Sequence, residues 1–304
     1  ALIFDDPKAP PMQIDAVKGE FRLLQDGSQI AIPAIELVSG ASKWSLSGKI
    51  DVPKTVNDGW HFAFESNGAT QIEAGNLKKP VRVDRFNLEG RVLPGFSGAE
   101  IERIDIRGPD LSIAGQARFG SVNAHNGLKM TLTAGRSKAQ FLMAFWPVLV
   151  VPEVRSYLGT AIEGGMIENF SYTLDLDPAG LAAALAKEVI PDGSVLLTAD
   201  LSDVTMRIDK DLPPLVDLAG IVTVTGQTVG VELKNGAIAV GGNRVLPVVQ
   251  GTYRVEDTAL VPAVADIVFR IKGGADAFVA GLKSPALRTV SAISLDPSAV
   301  KGQV

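Results

Sequence analysis

The 304-residue chain contains no cysteine, which excludes disulfides, thiolate metal sites and cysteine nucleophiles together. Such a composition suits an envelope compartment. Histidine is scarce as well: His61 and His125 each stand alone, leaving little material for an acid–base pair or an imidazole metal site. No H-E-x-x-H, G-x-S-x-G, P-loop or G-x-G-x-x-G pattern occurs. No basic run exists either. With 29 Lys and Arg against 34 Asp and Glu, the net charge of −5 argues against nucleic acid, whose phosphates would go unneutralised. No apolar run reaches the roughly 20 residues a membrane-spanning helix needs. The stretch from Phe141 to Val151 is much shorter and is interrupted by Pro147. The chain opens on Ala1-Leu2-Ile3-Phe4 without a signal-peptide pattern, as a processed product or an excised fragment would.

Aromatics make up only 6%, so the 46% apolar content is mostly Val, Ile, Leu and Ala, and the mean hydropathy is +0.21. From Gln13 to Ala134 this content is laid out as strands. Trp44, Leu46, Gly48 and Ile50 share one face, as do Trp60, Phe62 and Phe64, and Leu111, Ile113, Gly115, Ala117 and Phe119. Asp26-Gly27, Asn67-Gly68 and Gly108-Pro109-Asp110 read as hairpin turns between them. Val81 and Val83 run out of phase with Phe86 and Leu88, which predicts a bulge near Asp84-Arg85.

A helical plug follows. A short helix runs through Phe145, kinks at Trp146-Pro147, and resumes from about Glu153 to Ile162 until Gly164-Gly165 stops it. Phe170, Tyr172, Leu174 and Leu176 then alternate with polar residues as a half-buried strand. Asp177 caps a further helix with Pro178 at its first position, and Leu181, Leu185 and Val189 form the stripe expected to pack. Strands return over Val195–Leu201, Val204–Ile208, Ile221–Val224, Val229–Leu233, Ile238–Val240, Tyr253–Val255 and Ala265–Ile271, with Lys234-Asn235-Gly236 as another hairpin turn. Gly274 to Lys283 is a last helix, and Val290 to Val304 reads as extended.

The expected fold is therefore mainly β: elongated, curved antiparallel sheet forming an apolar groove or a sandwich, with short helices at about 141–162, 178–190 and 274–283. Three parts follow, an N-terminal β part (1–135), the plug with its strand and helix (136–190) and a C-terminal β part (191–304), read as one continuous repetitive unit. Phe86–Phe119 and Val204–Val255 repeat the same order of strand, Leu-Pro, strand, turn and glycine-bearing strand.

Paired carboxylates are the remaining catalytic candidates. Asp175 and Asp177 share a strand face, and Asp209 and Asp211 repeat the spacing. Two carboxylates across a sugar cleft serve glycoside hydrolysis, but such clefts are floored with aromatics, and here the aromatics lie on the alternating apolar faces. These aspartates read as the solvated side of a half-buried sheet. Asp200, Asp203, Asp209 and Asp211 lack the glycine and glutamate of a calcium loop. Neither a metal nor a cofactor is expected.

The segment Phe145-Trp146-Pro147, Pro152-Glu153-Val154-Arg155-Ser156-Tyr157-Leu158 and Gly164-Gly165 resembles a signature of the AsmA-like envelope proteins of Gram-negative bacteria, closest to the YhdP-type branch. Asp211-Leu212-Pro213-Pro214-Leu215 with Gly220 is similar to that branch's Pro-Pro and Gly element. So is Val261-Pro262-Ala263-Val264-Ala265-Asp266-Ile267 with Gly273 and Leu287. The resemblance implies an elongated β protein with an apolar groove that carries phospholipid between the inner and outer membranes. It implies a periplasmic location, an inner-membrane anchor in a segment this chain lacks, and no catalytic residues.

Two expectations follow. The first is a non-catalytic lipid-binding and transfer module, with phospholipid as partner and no oligomer. Its groove candidates are Trp44, Leu46, Trp60, Phe62, Phe64, Phe86, Leu88, Leu111 and Ile113, and Phe141, Phe145, Trp146, Pro147 and Tyr157 form a plug or cap. Aliphatic walls with few polar anchors favour acyl chains over sugars. The alternative is a closed β-sandwich that acts as a structural or interaction module without ligand.

Overall fold

Apolar and polar residues alternate over strand after strand, and a chain so patterned buries one face of a sheet and wets the other. The computed structural model describes residues 15–40, 42–72, 80–120, 127–144, 152–186, 188–260, 262, 264–285 and 296–304. The strands are β1 (Ala16–Leu23), β2 (Gln29–Ser39), β3 (Ser42–Asp51), β4 (Trp60–Ser66), β5 (Thr70–Ile72), β6 (Val81–Val83), β7 (Arg85–Val92), β8 (Gly98–Gly108), β9 (Leu111–Gly120), β10 (Leu128–Ala134), β11 (Ser137–Lys138), β12 (Ile162–Leu176), β13 (Val195–Met206), β14 (Leu215–Thr225), β15 (Val229–Gly241), β16 (Arg244–Val255) and β17 (Ala265–Ile271). The helices are α1 (Ala139–Ala144), α2 (Pro152–Ala161), α3 (Pro178–Leu185) and α4 (Ala275–Leu282).

All seventeen strands of the described residues belong to one antiparallel sheet that does not close, with 61% of those residues in strands. Fourteen of them form a ladder in chain order, β1-β2-β3-β4-β7-β8-β9-β10-β12-β13-β14-β15-β16-β17. The other three are accessory: β5 and β6 form a hairpin off the end of β3, and β11 extends the β12 pairing. At about 4.8 Å per strand the ladder runs roughly 60 Å along the sheet. The ladder passes without interruption through residues 135 and 190, where the sequence changes character.

The register carries one apolar face from end to end. Leu23, Ile30, Ile50 and Phe62 are successive neighbours, and Phe64, Leu88, Ile104 and Gly115 continue the row. Leu132, Tyr172, Leu197, Val224, Val229 and Val255 complete it. The opposite face is polar and carries cross-strand ion pairs such as Arg91–Glu100 at 2.6 Å and Lys129–Asp175 at 2.8 Å. Exposed pairs of this kind contribute little stability each, so the apolar face does most of the holding.

That face is covered unevenly. Between β9 and β16, Ala139 and Leu142 of α1, Ala184 of α3 and Ile190 bury Tyr172, Leu174, Leu176, Val195 and Leu197. At the other ends of β15 and β16, α4 buries Ala277 and Val279 and reaches Val240 and Leu246. Val81 and Val83 of the β5–β6 hairpin close the edge beside Ile106. On β1 the apolar face is exposed outright, and from β2 to β4 and on β7 it stays largely half-exposed.

Several local expectations are corrected. Gly164 and Gly165 do not stop a helix; α2 ends at Ala161 and both glycines lie inside β12, where its register shifts against β13. Asp177 does cap α3, accepting from the Gly180 N–H at 2.7 Å, but the helix ends at Leu185. Its buried side is Gly180 and Ala184, with Leu181 half-buried, while Leu185 and Val189 face solvent. Asn67-Gly68 is a corner, because β4 pairs with β3 and β7 and not with β5. The phase break at Asp84 separates β6 from β7 and is no bulge within one strand. Lys234-Asn235-Gly236 lies inside β15; the hairpin turn is Gly242-Asn243, where both residues hold the positive φ such turns need. The Trp146-Pro147 kink and His125 lie outside the described residues, as do residues 286–295.

Candidate functional site

The aromatic strand β4 sits between two glycines of the apolar face. Phe64 lies across from Gly48 on β3 and Phe62 across from Gly90 on β7, and a Cβ at Gly90 would fall 2.9 Å from the Phe62 ring. Each ring therefore occupies space that a neighbouring side chain would otherwise fill. Phe62 and Phe64 are 6.0 Å apart between ring centroids. Together with Ile50, Trp60 and Val92 they line a recess of about 310 Å³ without a polar lining residue.

The groove candidates divide into two groups. Trp44, Leu46, Trp60, Phe62, Phe64, Phe86 and Leu88 are half-buried on the continuous apolar face, with Trp44 edge-on to Phe86 at 5.6 Å. Leu111 and Ile113 are buried in one cluster with Val83, Ala139 and Leu142, inside the covered part. The recess also uses Ile50 and Val92, which the candidate list lacks. Val92 continues the alternation of Phe86, Leu88 and Gly90, so its signal was present in the same strand.

Of the plug residues, Phe141 packs half-buried against the core beneath the Lys138 ammonium, 5.4 Å from its ring centroid. Tyr157 donates its hydroxyl to the Ile208 carbonyl at 3.2 Å, and burial pushes its pKa up to about 12, with smaller contributions from Tyr253 and Asp209. Burial also raises Tyr253 and Tyr172. Phe145, Trp146 and Pro147 lie outside the described residues.

The aspartates are placed apart. Asp175 points to the polar face and pairs with Lys129, whereas Asp177 caps α3. Asp209 accepts from the Asp211 N–H at 2.8 Å within a turn. Among the described residues, no three His, Asp or Glu side chains are grouped to hold a metal ion. No helix of the described residues is long and apolar enough to cross a membrane.

A second recess, about 440 Å³, lies at the same strand ends. Its polar lining is Asp51, Lys54, Asn57, Asp58, His61 and Arg91, of which Asp51, His61 and Arg91 are register neighbours on the polar face. The two recesses thus occupy opposite faces of β3, β4 and β7 at one rim. Comparison with known protein families, with characterised proteins and with solved structures finds no match to this chain.

Proposed function

We propose that the protein is a non-catalytic lipid-binding and transfer module of the Gram-negative envelope, whose open apolar trough holds phospholipid acyl chains. The observation that carries this reading is the recess of Ile50, Trp60, Phe62, Phe64 and Val92, an entirely apolar hollow on a sheet face that extends well beyond it. Each methylene laid against such a surface contributes about 0.8 kcal/mol, so a long chain binds without any polar anchor. The resemblance to the AsmA-like family supports the same reading, including a periplasmic location and an inner-membrane anchor in a further segment of the chain.

Organic extraction of the purified protein, followed by lipid mass spectrometry against a matched periplasmic control, tests it. Near-stoichiometric phospholipid is expected. A stable, monodisperse protein free of lipid would instead favour a structural module, a reading supported by the closed packing of Tyr172, Leu174 and Leu197 beneath α1 and α3.

A further inference from the structure

The loops joining β3 to β4 and β7 to β8 stand side by side at one rim of the trough. Trp60 pairs with Val92, and a Cβ at Gly59 would fall 2.5 Å from the Val92 carbonyl oxygen. Together the loops wall the polar recess. Each also turns one large apolar side chain outward, Val56 at 91% exposure and Phe96 at 79%. A single exposed apolar residue needs no explanation. Phe96, however, also holds φ at +57°, a left-handed conformation that is unfavourable for a residue with a Cβ and here gains almost no burial in return. The β1–β2 turn at the same rim adds a third apolar tip, Leu24.

We propose that this rim docks onto a phospholipid bilayer. Val56 and Phe96 enter the acyl boundary, Lys54 behind them meets headgroup phosphates, and Asp58 meets headgroup amines. The mixture of both charge signs in one recess matches zwitterionic headgroups better than purely anionic ones. The inference rests on the trough reading for its purpose: docking brings the bilayer to the recess lined by Ile50, Trp60, Phe62 and Val92, at the same rim.

Sedimentation of the full chain with phosphatidylethanolamine–phosphatidylcholine vesicles tests the docking edge. The wild-type protein should sediment, and the double variant V56S/F96G should bind at least about tenfold more weakly, since two apolar anchors are lost. Glycine is at ease at positive φ, so Phe96→Gly should hold or raise the melting temperature, and loss of sedimentation then cannot be unfolding. Unchanged binding by the double variant would overturn the proposal, as would wild-type protein that stays in the supernatant, which would leave the tips to a protein partner. Capture of a soluble fluorescent fatty acid without vesicles reports on the trough separately. Capture retained by V56S/F96G while sedimentation is lost supports both readings. A wild-type protein that sediments but captures nothing would sink the trough reading and leave the docking edge standing.

Discussion

Phe64 rests against the bare backbone of Gly48: a Cβ at position 48 would lie 2.6 Å from Phe64 Cδ1 and 2.3 Å from the Ala63 carbonyl oxygen. The second contact is with backbone, so it cannot be relieved by rotating a side chain. Gly48→Ala should therefore destabilise the protein by about 1–3 kcal/mol, the usual range for overpacking. Urea unfolding would measure it, and a variant as stable as the wild type would show that β3 and β4 can part freely.

Phe62 tests the trough from the other direction. It is half-exposed on the lining of the apolar recess. Phe62→Asp should weaken fatty-acid capture roughly ten- to a hundredfold through lost apolar contact, with the far-ultraviolet dichroism and cooperative melt retained. Collapse of the melt together with binding would assign Phe62 to a packed core.

Tyr172 carries a buried hydroxyl without a hydrogen-bond partner among the described residues, in a cluster otherwise apolar. An unsatisfied hydroxyl costs about 1–3 kcal/mol. Tyr172→Phe should accordingly raise stability by about 1 kcal/mol, read as an increase in the urea midpoint at constant slope. A loss of stability would reveal a partner for the hydroxyl.

The chain has 3 tyrosines, Tyr157, Tyr172 and Tyr253, and burial raises the pKa of every one above 10.0. At pH 10 the native protein should show less tyrosinate absorbance than the urea-unfolded protein, which should be near half-ionised. The unfolded chain releases these protons first, so its bound-proton count is the lower one and stability falls as pH rises. The loss begins near pH 10 and continues through about pH 12, where Tyr157 ionises in the fold. Equal titration curves for native and unfolded protein would contradict the burial of these rings.

Much of the fold was legible in the sequence because alternation at period two is a strong signal when one face is apolar throughout. The limits of β17 and the capping of α3 by Asp177 follow the sequence closely. What misled was turn chemistry read in isolation. Asn67-Gly68 bends the chain but does not say which strands pair across it, and Asn235-Gly236 looks like a turn while lying inside the bulged strand β15. The buried side of α3 was missed because Gly180 and Ala184 form it, and small residues leave no apolar stripe. At the site, the aromatic row of β4 was visible. The enclosure of Leu111 and Ile113 was not, since Val83 and Leu142 come from elements distant in sequence and local patterning carries no record of them.

The nearest-neighbour order of the ladder has a kinetic consequence. Almost every strand finds its partner one hairpin away, so folding can spread as a zipper from a single nucleus, with short loop closures at most steps. The covered stretch from β9 to β16, where helices and sheet bury the same residues, is the natural nucleus. Pairing would then propagate outward toward β1 and β17, each of which has one neighbour among the described strands. Such a chain behaves as a one-dimensional array whose opening costs decline from centre to ends. The edge strands would be the first to exchange their amide hydrogens and the last to rejoin.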